Sequence, residues 1–172
     1  MNLLVTKAIS EDPMSNSENK DKPACGIGSE ISEEMPTPEF WKERLSKERY
    51  EVTREKGTER PFSGKYNKYY KDGVYYCSNC GQKLFSSDSK FDSGTGWPSF
   101  DKAISGDSVE IHDDFSFGMT RKEARCSKCK AHLGHLFEDG PRQTTGLRYC
   151  INSISLIHED DMEKDTLDKL SK

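Results

Sequence analysis

A mainly β fold is expected from this sequence, with antiparallel strands joined as hairpins and short helices leading into them. Three observations carry that expectation. From Gly57 onward, Gly and Pro recur so often that few pieces are long enough for a crossover helix, so strands pair with sequence neighbours. The pieces between those breaks are short and have strand character. Good helix formers are concentrated instead between Glu39 and Lys56.

Taken in order, Thr37-Pro38 marks a helix start, because a threonine oxygen caps free backbone N–H groups and proline suits the first turn. Phe40, Trp41 and Leu45 lie roughly on one helical face, and Gly57 is a stop, so one or two short helices fill this stretch. Strands are expected at Val74–Cys77, Lys83–Phe85, Val109–Ile111, Phe115–Met119, His135–Phe137, and from Leu147 to Ile157. Within Phe115–Met119 the residues alternate with a period of two, as a strand with one buried face does. Asp160 to Leu170 has the composition of a weak final helix.

The chain of 172 residues suits one domain, and its 32% hydrophobic and 33% charged content is thin core material. No apolar run approaches the roughly 18 to 20 residues of a membrane helix, so no membrane partner is expected. A net charge of −4 and a pI near 5.6 argue against holding nucleic acid by phosphate neutralisation. The acidity lies in the ends: residues 1–35 hold three Lys against seven acids, and 158–172 hold three Lys against six. The organisation expected is therefore an acidic tail over 1–35, a single domain over 36–158, and an acidic C-terminal tail over 159–172 with helical potential. Ser10 to Ser32 has too few large apolar residues to offset the entropy of ordering, so the first tail is expected to be disordered. Met1–Ile9 lacks the basic start and the apolar length of a signal peptide, which makes the cytoplasm the default location.

Four of the six cysteines form two Cys-x-x-Cys pairs, Cys77/Cys80 and Cys126/Cys129, while Cys25 and Cys150 stand alone. Two such turns supply the four thiolates of a tetrahedral zinc, and the 45 residues between them make the ion a clip between distant parts of the chain. Four protein ligands leave no open position, so one structural Zn2+ is expected rather than a catalytic one. A thioredoxin-like redox pair normally opens a helix in a βαβ unit, which this pattern lacks. His132 and His135 follow Cys129 too closely for a two-Cys, two-His finger, which leaves them for the core, the surface or a second site.

Cys150 lies in the strand-like run Arg148-Tyr149-Cys150-Ile151-Asn152-Ser153. In a strand Arg148, Cys150 and Asn152 share one face, and a cationic neighbour enriches the reactive thiolate; the plain alternative is an inert core cysteine. Gly96-Trp97-Pro98-Ser99-Phe100 is a rigid turn able to present an indole to a small apolar group, or else a core tryptophan under a loop.

Cys77-x-x-Cys80-Gly81, Gly96 to Phe100, His132-Leu133-Gly134-His135 and Arg148 to Ser153 occur in an order that resembles the B-type methionine sulfoxide reductases. The likeness runs from about Phe40 to His158 and includes Glu59-Arg60-Pro61-Phe62-Ser63-Gly64. The resemblance implies a thiol-dependent oxidoreductase that reduces methionine-R-sulfoxide in oxidised proteins, separate enzymes serving each epimer. It implies Cys150 as the nucleophile, and His135 and His132 with Asn152 as the groups that protonate and fix the sulfoxide oxygen. It further implies Arg148 as support for the thiolate and Trp97 as the receptor for the methyl group. Many members carry a second, resolving cysteine immediately before Gly-Trp-Pro-Ser-Phe; here that position is Thr95. The resemblance implies that Cys150 becomes a sulfenic acid as methionine leaves; either thioredoxin or a similar reductant then reduces that acid directly, or Cys25 resolves it from the tail. The alternative function is a zinc-stabilised partner-binding module without catalysis. The fold expected with these sites is two small antiparallel sheets, with zinc at one end and Cys150 on a central strand, in a monomer.

Overall fold

The computed structural model describes residues 35–164. The tail before Met35, Cys25 within it, and the segment after Lys164 lie outside the described residues. Helix α1 (Pro38–Arg44) starts where predicted, with Thr37 Oγ1 accepting from Phe40 N at 3.4 Å. Leu45 then leaves helical geometry, and Ser46 caps helix α2 (Lys47–Arg54) by accepting from Arg49 N at 3.3 Å. Trp41 and Leu45 are buried in the core. Arg54 lies over the Trp41 ring at 3.9 Å and donates to the Cys129 carbonyl at 2.8 Å, which fixes both helices to the second Cys-x-x-Cys turn. No described helix is long and apolar enough to cross a membrane.

Two antiparallel sheets follow. The smaller has the order β2-β1-β9, from β1 (Val74–Cys77), β2 (Lys83–Ser86) and β9 (Leu156–His158). The larger has the order β3-β4-β8-β7-β6-β5. Its strands are β3 (Lys90–Phe91), β4 (Ser99–Phe100), β5 (Val109–Asp114), β6 (Arg121–Cys126), β7 (His132–Phe137) and β8 (Arg148–Ile151). Phe85 of the small sheet stacks on Phe100 of the large one, ring centroids 4.4 Å apart, so the sheets share one core with Tyr75, Leu133 and Ile151.

Three local expectations differ from the structure. Residues Phe115–Met119 form no strand: Ser116–Gly118 is a 3-10 turn, and Phe115 and Met119 are exposed, because the alternating run finds no partner strand there. Strand β6 has no counterpart among the expected strands, since Arg121-Lys122-Glu123-Ala124-Arg125-Cys126 lacks an apolar alternation and buries a carboxylate instead. The run from Leu147 to Ile157 breaks at a 3-10 turn, Ser153–Ser155, which passes the chain from the large sheet to the small one. The Glu59 carboxylate secures that break by accepting from Ser153 N at 2.5 Å and Ile154 N at 3.1 Å.

Candidate active site

The two Cys-x-x-Cys turns are near copies. Gly81 N donates to Cys77 O and Lys130 N to Cys126 O, each at 2.9 Å, while Cys77 N donates to Gln82 O and Cys126 N to Ala131 O. Both turns need left-handed backbone after the second cysteine, at Gly81 (φ 73) and Lys130 (φ 58). All four sulfurs lie within 4.8 Å of one another, with Cys77–Cys129 and Cys80–Cys126 at 3.6 Å. Zn–S bonds of about 2.3 Å in a tetrahedron separate sulfurs by about 3.8 Å, so the donor set and its spacing fit a zinc ion. His132 and His135 take no part in this cluster; both imidazoles are held by carboxylates.

Cys150 sits on β8, flanked by β4 and β7 within the large sheet. Register places Ser99 and His135 directly opposite it, and opposite residues in an antiparallel pair project to the same face. Arg148, two residues before it, is also on that face; its guanidinium grips Asp139 at 2.8 and 2.9 Å and reaches Cys150. Burial pushes the Cys150 thiol up, and the Arg148 charge and the Thr95 hydroxyl pull it back. Gly134 allows β7 to approach: a Cβ there would overlap the Cys150 carbonyl oxygen.

The two histidines face the same side because β7 carries a bulge. Ala124 pairs with Gly134 and Arg125 with His132, so Leu133 is an extra residue. Without it, residues three apart in a strand would point to opposite faces. With it, the two rings meet at 5.4 Å.

Each imidazole has its own carboxylate. His135 Nε2 pairs with Asp114 Oδ2 at 2.9 Å, and Asp114 is held far below the usual carboxylate range by the Ser116 hydroxyl first, then by His135. His132 Nδ1 pairs with the buried Glu123 at 2.7 Å, which also accepts from Lys56 at 2.9 Å and Arg125 at 2.8 Å. Burial opposes ionisation of Glu123, but Arg125, Lys56 and His132 together lower it to about 2. An ionised Glu123 accepts only, so His132 carries its hydrogen on Nδ1, and its buried Nε2 has no partner among the described residues. Burial also lowers the His132 pKa, which keeps this ring neutral.

Asn152 lies just past the end of β8, and both halves of its amide are occupied. Its backbone N and Nδ2 donate to the carbonyl of the bulge residue Leu133 at 2.8 and 3.0 Å, and its Oδ1 accepts from Glu59 N at 3.1 Å. The Glu59 carbonyl in turn accepts from Trp97 Nε1 at 3.1 Å. Asn152 thus joins the bulge that orients the histidines to the loop that orients the indole.

Of the residues singled out from sequence, Cys150, Arg148 and His135 are gathered on one face, with His132 beside them and Trp97 in the loop of Thr95, which approaches the Cys150 sulfur. Asn152 is tied to the bulge instead of continuing the strand face of Arg148 and Cys150. Sequence reasoning missed Asp114, Glu123 and Asp139. Their carboxylates serve partners 21, 9 and 9 residues away, and no local motif marks such pairs.

A family model described as the SelR domain matches residues 45–160. The peptide methionine sulfoxide reductase MsrB of Chromohalobacter salexigens is 54% identical over 127 residues, covering 73% of this chain and 96% of that protein. The protein of the same name from Methanosarcina mazei is 61% identical over 120 residues, covering 69% and 84%. That of Acinetobacter baylyi is 55% identical over 129 residues, covering 75% and 92%. Among solved structures, the Mis18 'Yippee-like' domain matches 51% of this chain and 95% of its own at 18% identity and a TM-score of 0.41.

Proposed function

The chain belongs to the SelR domain family, whose matched members are named peptide methionine sulfoxide reductase MsrB, and from that premise we propose that Cys150 is the nucleophile of a methionine-R-sulfoxide reductase. The chain is an oxidoreductase that reduces methionine sulfoxide, so the partner-binding module without catalysis falls away.

The observation that carries the assignment is Cys150 among Arg148, Thr95 and His135, a thiol with one cation beside it and one imidazole across the strand. The Cys150 thiolate attacks the electrophilic sulfoxide sulfur, and a proton must reach the oxygen because oxide is a poor leaving group. With ionised Asp114 on Nε2, His135 keeps a hydrogen there and supplies the second proton from Nδ1. His132, neutral and fixed by Glu123, offers the lone pair of Nε2 as acceptor to the O–H so formed. The hydroxyl then passes from the substrate sulfur to the Cys150 sulfur as the new sulfur–sulfur bond breaks, which leaves methionine and a Cys150 sulfenic acid: the substrate sulfur gains two electrons and the cysteine sulfur loses two. Arg148 supports the thiolate, and Asn152 is a positioning residue, acting through the Leu133 carbonyl on the histidine pair.

Trp97 receives the methyl group. Its one N–H already donates to Glu59, so a swapped epimer would set its oxygen against a ring face without a free donor, which disfavours that epimer. A thiol reductant of the thioredoxin class then attacks the sulfenic acid and releases water, and a second thiol restores Cys150. Thr95 cannot resolve the acid, and Cys25 is the internal thiol left for that role. The four cysteines would hold one zinc ion, which would supply a closed structural cross-link with no open coordination position.

Replacement of Cys150 by Ser is expected to abolish turnover of methionine-R-sulfoxide, at least about a thousandfold, with zinc content and thermal stability kept. Turnover retained in Cys150→Ser would refute the assignment. Mass spectrometry of wild type after one turnover separates the recycling routes by a Cys25–Cys150 disulfide or a persistent sulfenic acid.

A further inference from the structure

Three hydroxyl groups that give or take no atom in the reaction proposed above run in a line to the reactive sulfur. Thr95 Oγ1 lies 4.0 Å from Cys150 Sγ, an outer-edge distance for a sulfur hydrogen bond, and 2.8 Å from Ser93 Oγ. Ser93 Oγ lies 2.7 Å from Ser99 Oγ, and Ser99 Oγ lies 3.3 Å from the Trp97 carbonyl. Ser99 is fully buried and sits opposite Cys150 in the β4–β8 register.

Each hydroxyl carries one hydrogen, so this line has only two consistent directions. With a neutral thiol, S–H donates to Thr95, Thr95 to Ser93, Ser93 to Ser99, and Ser99 to the Trp97 carbonyl. Every hydrogen is used and the line ends on an acceptor. With a thiolate, Thr95 turns its hydrogen to sulfur, Ser93 turns to Thr95, and Ser99 turns to Ser93. Three hydroxyl rotations separate the two arrangements, and no heavy atom has to move.

We propose that Thr95, Ser93 and Ser99 form a reversible hydroxyl relay that supports Cys150 in both charge states. Thr95 touches the sulfur, while Ser93 and Ser99 are positioning residues that act through it. The relay rests on Cys150 being the nucleophile. It serves a sulfur that burial holds as a thiol and that must ionise to react. The other groups facing Cys150 are Arg148 on its own strand, with Asp139 behind it, and His135 across β7. None of them is altered by the substitutions below.

The test is the pH dependence of Cys150 alkylation by iodoacetamide, resolved at that residue by mass spectrometry. Ser93→Ala breaks the line one step behind the sulfur and is expected to raise the midpoint by about 0.1–0.5 unit, since Thr95 then donates to the thiolate without a hydrogen bond reinforcing it from behind. Thr95→Val raises it at least as far, and Thr95→Ser, which retains the hydroxyl, returns it to wild type. A common midpoint in wild type, Ser93→Ala and Thr95→Val overturns the relay. Should Ser93→Ala lose zinc or its circular dichroism spectrum, the Thr95→Val and Thr95→Ser pair decides the matter alone. Turnover of Cys150→Ser keeps the two ideas apart: activity there removes the nucleophile, whereas an inactive Cys150→Ser with unmoved midpoints removes only the relay.

Discussion

Cysteine sulfur occurs in two very different settings in this domain. At the Cys-x-x-Cys turns, four sulfurs converge within 4.8 Å, each turn repeating the other's hydrogen bonds. On β8 a single half-buried sulfur faces a hydroxyl, a guanidinium and an imidazole. One metal ion would satisfy every sulfur of the first arrangement and leave no position for a substrate. The second places the sulfur apart from the four-cysteine cluster and surrounds it with groups that accept or deliver a proton. The reactivity proposed for Cys150 is therefore a property of the surroundings and not of the thiol, which is the same in both places.

Breaking the closed site should have the largest effect. Cys80→Ser, or removal of the ion by a chelator, is expected to abolish the cooperative fold, because structural zinc sites contribute on the order of 10 kcal/mol or more. Loss of the near-UV circular dichroism signal, together with activity, is the measurement. A variant that stays folded without metal would reduce this site to an accessory, and Cys150→Ser provides the contrast of lost turnover in an intact fold.

Glu123, behind the open site, comes next. Glu123→Gln leaves Lys56 and Arg125 without their buried partner and is expected to cost about 3 kcal/mol at neutral pH. The folded-state pKa of Glu123 is lowered to about 2, so its contribution is complete above the unfolded value near 4.5 and fades as pH falls toward 2. Urea unfolding of the two proteins should show a gap that is constant at neutral pH and narrows below about 4.5. A gap independent of pH contradicts the ion pairing.

The smallest effect refines the likeness of the two turns. Gly81 and Lys130 hold equivalent left-handed positions, and a Cβ at Gly81 would meet nothing within 4 Å. Gly81→Ala is therefore expected to cost about 1 kcal/mol from backbone conformation alone, with zinc content and activity kept. A cost several times larger in thermal unfolding would mean that the turns are not equivalent.

Features of the fold that depend on neighbours in the chain were legible without coordinates. Thr37 caps its helix, Val74–Cys77 is a strand with the predicted bounds, and the cysteine spacing anticipates the cluster. Phe115–Met119 misled because alternation reports that a strand would be amphipathic, not that a partner awaits it. Strand β6 was hidden for the opposite reason: its buried residues include Glu123, whose cations come from Lys56 and Arg125, and a buried carboxylate looks like surface in a linear reading. The order of motifs pointed to Cys150, His135 and His132 but carried no sign of Asp114 or of the clamp made by Asn152.

The amino-acid string determined which groups are available at these sites: four thiols in two paired turns, one lone thiol near an arginine, the imidazoles of His132 and His135, and the indole of Trp97 in a rigid loop. Only tertiary structure decided what each group does. The Leu133 bulge turns both imidazoles to one face, Glu59 reaches 94 residues to Ser153, and Lys56 reaches 67 to Glu123. The physical reason is range. Turns and caps are settled by sterics and hydrogen bonds a few residues apart, whereas proton chemistry depends on distances of about 3 Å between atoms that the chain alone does not hold together.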